Sequence, residues 1–120
     1  MNPFELTMRL MSIPSVTGTE REIGEFLLSH LSLLGYRVER QDVVGDRFNV
    51  FAFAGEGRVM FCTHIDTVPP PAIPIREDSD FLYGRGACDT KGIIAAMIEA
   101  GDRLQRDGIT NFVRLYVSPR

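Results

Sequence analysis

Arg58-Val59-Met60-Phe61-Cys62-Thr63-His64 passes through four consecutive apolar residues and ends on a histidine. A short apolar run of this kind, preceded by the turn Gly55-Glu56-Gly57, predicts a strand buried on both faces of an α/β sheet. His64 then falls at its carboxyl end, where open α/β sheets bind ligands. Upstream, Tyr36 to Gln41 alternates apolar and charged residues, the pattern of a half-exposed strand, and Phe48 to Ala54 reads as another. Downstream, Phe112 to Val117 reads as a last buried strand.

The helices are marked by their ends. Asn2, Pro3 and Glu5 form an N-cap and first turn, so a short helix is expected to about Met11. Ser15 to Gly18 is a turn. Thr19 with Glu22 has the spacing of a second capping box, ahead of Ile23, Phe26, Leu27, Leu31 and Leu34 at helical intervals, and Gly35 closes that helix. Pro69, Pro70, Pro71 and Pro74 make Val68 to Asp80 a loop, followed by a short strand at Phe81-Leu82-Tyr83. The apolar run from Ile93 to Leu104 predicts a buried helix ending near Gly108. Helices and strands thus alternate as in an open α/β fold.

Bulk properties exclude several classes of function. A net charge of −3, with no basic cluster, lacks the electrostatic footprint of a nucleic-acid binder. The first fifteen residues carry Glu5, Arg9 and Pro14 instead of the charged start and apolar middle of a secretory leader, and no stretch has membrane-spanning length. A cytoplasmic protein without a nucleic-acid or membrane partner is expected. In that compartment Cys62 and Cys88, which lack CxxC spacing, stay reduced, and both read as small packing residues.

Two motifs carry the chemistry. In Thr63-His64-Ile65-Asp66-Thr67-Val68-Pro69 an imidazole is followed two residues later by a carboxylate. A neutral histidine is a common zinc ligand, and such a carboxylate can accept its other N–H and fix the tautomer. In Gly84-Arg85-Gly86-Ala87-Cys88-Asp89-Thr90-Lys91-Gly92 the glycines permit a tight turn that delivers Asp89 to the mouth of the sheet. One carboxylate has two oxygens and can bridge two metal ions. A phosphate-binding reading fails, because a dinucleotide fingerprint needs glycine where Asp89 stands, and Lys91-Gly92 reverses the order of a phosphate loop.

Together the two motifs resemble the leading signatures of the di-zinc aminoacylase and carboxypeptidase family, which includes acetylornithine deacetylase, succinyl-diaminopimelate desuccinylase and glutamate carboxypeptidase. The resemblance implies an open three-layer α/β sheet of a zinc-exopeptidase-like catalytic domain, truncated, with residues 1–120 as its N-terminal portion. It implies that His64 binds one metal, that Asp89 bridges two, and that Asp66 serves catalysis by orienting His64. Gly84, Arg85 and Gly86 shape the turn, and a cis peptide follows Asp89. The implied cofactor is zinc, two ions per complete site, with cobalt or manganese as alternatives. The implied reaction is hydrolysis of an amide bond in a small-molecule N-acyl amino acid or peptide, by a protein that forms a homodimer in some members.

Other family features have no counterpart here. An adjacent pair of glutamates, one the general base and one a ligand, follows the strand that Phe112 to Val117 resembles, and this chain has Ser118-Pro119-Arg120 there. The later ligands and the lid or dimerisation domain are likewise absent. Glu99, Asp102 and Asp107 lie on or just after the helix from Gly92, pointing away from the strand ends, and His30 on an early helix reads as a surface residue, so none is expected to replace the missing groups. The expectation is therefore an incomplete, inactive hydrolase, against the alternative of a non-catalytic α/β module that binds a ligand or partner.

Overall fold

The structure, a computed structural model, describes residues 1–70, 73–109 and 113–120. Its helices are α1 (Pro3–Met11), α2 (Arg21–Leu33) and α3 (Gly92–Arg106). Its strands are β1 (Arg37–Val44), β2 (Arg47–Phe53), β3 (Val59–His64), β4 (Arg76–Glu77), β5 (Leu82–Tyr83) and β6 (Val113–Ser118). The expected helices and strands are present within a few residues of their predicted limits. Phe112, the predicted start of the last strand, and Pro71 in the proline-rich loop lie outside the described residues.

Four strands form one mixed sheet in the order β1-β2-β6-β3. β1 and β2 pair as an antiparallel hairpin, β2 runs antiparallel to β6, and β6 runs parallel to β3 with His64 opposite Ser118. The parallel pair requires a crossover, supplied by the segment that contains β4, β5 and α3. β2 and β6 alternate strictly in burial. Phe48, Val50, Ala52, Val113, Leu115 and Val117 therefore point into the core that Leu6 and Leu10 of α1, Ile23, Leu27 and Leu31 of α2, and Ile94 and Ile98 of α3 complete. On the other face Phe51 packs against Phe53 and Tyr116, with ring centroids 5.1 and 6.2 Å apart.

Helix ends follow local chemistry, with one correction. Asn2 and Glu5 form the expected reciprocal capping box, with bonds of 2.9 and 3.0 Å. At the far end of α2, Gly35 adopts φ +95° and the Tyr36 amide reaches back to the Leu31 carbonyl, the Schellman arrangement. The second capping box is not formed. Glu20 is the residue before α2, and no side chain caps the helix. The Thr19 hydroxyl donates to the Val16 carbonyl at 2.7 Å instead, because the chain here is folded back as a tight turn. Glu20 turns inward, accepts from the Gly18 amide and pairs with Arg47 at 2.8 Å, which ties the start of α2 to β2.

Two further expectations are corrected. β3 is the sheet edge among the described residues, not a strand buried on both faces: Met60 is 48% exposed and Cys62 is exposed. Its apolar composition is met by β6 on one side only. Cys88 is also exposed, so neither cysteine is a packing residue. The proline-rich loop is partly ordered by the β4–β5 hairpin. Its Asp78 accepts from the Asp80 and Phe81 amides and the Tyr83 hydroxyl, which hold its carboxyl below the ordinary range. Among the described residues no helix is long and apolar enough to cross a membrane.

Candidate metal centre

The parallel β3–β6 pair aims the first motif. Beyond the last strand residues the ladder continues: the Ile65 amide donates to Ser118 at 2.9 Å and the Asp66 amide to Pro119 at 3.1 Å. Backbone on both sides thus places His64 and Asp66 at the carboxyl end of the sheet. The second motif arrives from β5 through Gly84-Arg85-Gly86 and an irregular turn, Ala87–Lys91, which leads directly into α3. Within that turn Asp89 and Thr90 leave helical geometry, and the peptide between them is cis. The Thr90 hydroxyl donates to the His64 carbonyl, joining the two motifs.

Gly86 is where that turn needs glycine. Its φ is +84°, and a Cβ would stand 2.9 Å from Lys91 Cδ and 3.2 Å from Thr67 Cγ2. The close approach stacks the second motif on the first. Arg85 donates from Nε to the Pro70 carbonyl at 3.3 Å and lines the cleft between the motifs. His64, Asp66, Gly84, Gly86, Cys88 and Asp89 also line this cleft, whose volume is about 260 Å³.

The polar groups meet in a chain. His64 Nδ1 lies 2.7 Å from Asp66 Oδ1, and its Nε2 lies 3.2 Å from Asp89 Oδ1. With the carboxylate of Asp66 accepting, Nδ1 carries the proton in the neutral ring and the Nε2 lone pair faces Asp89. A lone pair opposed to a carboxylate needs a proton or a cation between them. Zinc bonds of about 2.0–2.2 Å at a tetrahedral angle place nitrogen and oxygen ligands roughly 3.3–3.5 Å apart. The observed 3.2 Å is close to that span. The donor set, one imidazole and one carboxylate, suits a divalent metal, and Asp89 with a side chain 82% exposed has an oxygen free to meet a second ion. Among the described residues no group of three or more His, Cys, Asp or Glu side chains converges on a metal position.

The other acids and the second histidine stand elsewhere. Glu99 and Asp102 pair with Arg106 on α3, and His30 stacks on Phe26 at 5.6 Å. Burial pushes the His30 imidazole below its ordinary value. Three residues to which the motifs assigned no role pack against the site. Thr17 donates to Asp66 Oδ2 at 2.6 Å, Ser15 donates to the Ile65 carbonyl at 2.8 Å, and Lys91 donates from Nζ to the Ile13 carbonyl at 2.8 Å. Lys91 is 2% exposed, and burial lowers its pKa to about 8. A lysine at the entry to an apolar helix was a visible signal for the last of these; the hydroxyls of Ser15 and Thr17 offered none beyond a turn.

Comparison with known proteins agrees with this architecture. A model of peptidase family M20/M25/M40 matches residues 60–118, which contain both motifs. A probable carboxypeptidase of Emericella nidulans is 41% identical, over 82% of this chain and 26% of its own length. A tripeptidase of Staphylococcus aureus has a similar fold, with a TM-score of 0.81 at 22% identity, over 97% of this chain and 35% of that one. Human carnosine dipeptidase 1 superposes with a TM-score of 0.79 at 21% identity, over 98% of this chain and 31% of that one. The chain spans about a quarter of the length of the curated relatives it matches. With both motifs inside the matched region and the same fold in the solved structures, the chain belongs to peptidase family M20/M25/M40.

Proposed function

We propose that this chain is the N-terminal portion of the catalytic domain of a zinc-dependent amidohydrolase, and that His64 and Asp89 are its first metal-binding residues. The observation that carries this reading is His64 held between two carboxylates, with Asp66 on Nδ1 at 2.7 Å and Asp89 facing Nε2 at 3.2 Å. Asp66 keeps the ring in the tautomer that leaves Nε2 free, and Asp89 supplies the carboxylate suited to a second ion. Cobalt or manganese would satisfy the same donors. Bound zinc supplies Lewis acidity toward an amide carbonyl and toward water.

The cleft and the relatives support a substrate class. A space of about 260 Å³ admits a small molecule, and the similar fungal proteins are named as carboxypeptidases. We assign an N-acyl amino acid or a small peptide as substrate, in the cytoplasm, where exposed Cys62 and Cys88 remain thiols. A homodimer is the assembly proposed for the whole protein. A catalytic zinc normally takes three protein ligands, whereas His64 and Asp89 are two for a pair of ions. Hydrolysis therefore depends on groups outside the described residues, and by themselves these residues bind metal without appreciable turnover.

Protein of the relatives' length that includes these residues tests the reading. With zinc it should release amino acids from N-acetyl amino acids or dipeptides, and a chelator or His64→Ala should abolish the release. Hydrolysis that survives both treatments would overturn the proposal. The open cleft at the strand ends also suits one rival, a non-catalytic α/β binding module. An affinity for zinc indifferent to His64 and Asp89 would support that rival.

A further inference from the structure

We propose that the connector Ile13–Thr17, between α1 and α2, is the positioning template of the metal site, and that Thr17 acts through Asp66 on His64. The inference rests on the metal-binding reading above. The connector is joined to the segment beyond β3 by a single parallel bridge at Val16 and Thr67: the Thr67 amide donates to the Ser15 carbonyl at 2.8 Å, and the Thr17 amide donates to the Thr67 carbonyl at 3.2 Å. Ser15 is fully buried, and its hydroxyl takes the Ile65 carbonyl. From the other direction Lys91, two residues after Asp89, fastens its ammonium to the Ile13 carbonyl. Both motifs are therefore registered against the same five residues, although those residues are about fifty positions from one motif and nearly eighty from the other.

Thr17 makes this contact chemically specific. Asp66 has two oxygens and two partners: Oδ1 takes His64 Nδ1 at 2.7 Å and Oδ2 takes the Thr17 hydroxyl at 2.6 Å. The carboxylate side chain is only 11% exposed, so few other donors can engage it. Rotation about its last bond would break both contacts at once, so the hydroxyl fixes the plane of the carboxylate and hence the direction of the imidazole. Without that donor the carboxylate can turn, and Nε2 no longer holds its place opposite Asp89. Outer partners of metal ligands, when removed, commonly reduce metal affinity by about 10- to 100-fold. Thr17 acts one step further out, which places its effect near the lower figure.

Thr17→Val and Thr17→Ser, compared with wild type, separate positioning from folding. Thr17 is exposed at the rim, so the valine substitution carries little folding cost. Zinc affinity is measured by competition with a chromophoric chelator, melting is measured on metal-free protein, and the ring nitrogens of His64 are observed by 15N NMR. Thr17→Val should bind zinc about 10-fold more weakly, with melting unchanged and a reduced share of the Nδ1–H tautomer. Thr17→Ser, which keeps the hydroxyl, should restore both affinity and tautomer. Affinity of Thr17→Val within about twofold of wild type would overturn the positioning role while leaving the metal site intact. A loss that serine does not restore, or one that tracks a fall in melting temperature, would overturn it equally. Wild type that binds no zinc would remove the proposed function and this inference together.

Discussion

Lys91 is a cation in the protein interior. Its methylene stem packs against Gly86, its ammonium meets the Ile13 carbonyl, and burial is the cause that lowers its pKa from 10.5 to about 8. The sign of the resulting pH dependence is fixed by linkage. The folded chain releases the proton at about 8 and the unfolded chain only near 10.5, so the cost of burying the charge is present in full below pH 8. It is relieved as pH rises through that window. In denaturant titrations of the metal-free protein at pH 7.5 and 9.5, wild type should therefore gain stability relative to Lys91→Met; a constant difference would contradict the buried charge. At this scale the sequence disclosed His64, Asp66 and Asp89 because their residue types sit together within short motifs. The roles of Ser15 and Thr17 stayed hidden because their partners are set by chain crossing, which spacing does not encode; Lys91 was visible in the second motif, but its partner, the Ile13 carbonyl, was not.

Elements carry the next set of tests. α2 crosses β2 at Gly24, where a Cβ would come within 2.6 Å of the buried Phe48 ring. Glycine to alanine inside a helix ordinarily adds roughly 1 kcal/mol of stability. Here overpacking outweighs that gain, and Gly24→Ala should lose about 1–2 kcal/mol in chemical unfolding; a stabilised variant would refute the close crossing. On the same helix Leu27 is fully buried, and Leu27→Ala should lose about 3 kcal/mol. Helix ends and strand limits were readable because caps, glycines and periodicity are local. The burial of β3 was not, since the same apolar run Val59–Cys62 suits a central strand or an edge, and only the order β1-β2-β6-β3 decides. The capping box at Thr19 failed for a related reason: the helix begins one residue later than the box requires, so Glu20 stands at its N-cap, and Glu20 is claimed by Arg47.

For the whole molecule, the arrangement of helices on one side of a mixed sheet leaves β3 as an edge among the described residues, with Val59, Met60 and, on α3, Ile93 exposed. Apolar edges of this kind promote association. Light scattering should show self-association that grows with concentration, and Met60→Lys should reduce it without lowering the melting temperature. Monomeric wild type at high concentration would contradict that view of the edge. The alternation of elements and the two motifs made the α/β fold and the family legible from sequence, whereas the meeting of connector, strand end and turn around one imidazole required the fold. The most direct test of the account is calorimetric titration with zinc of wild type, His64→Ala and Asp89→Ala. The metal site predicts binding to wild type that each substitution weakens by at least about 10-fold; equal affinity in all three proteins would contradict it.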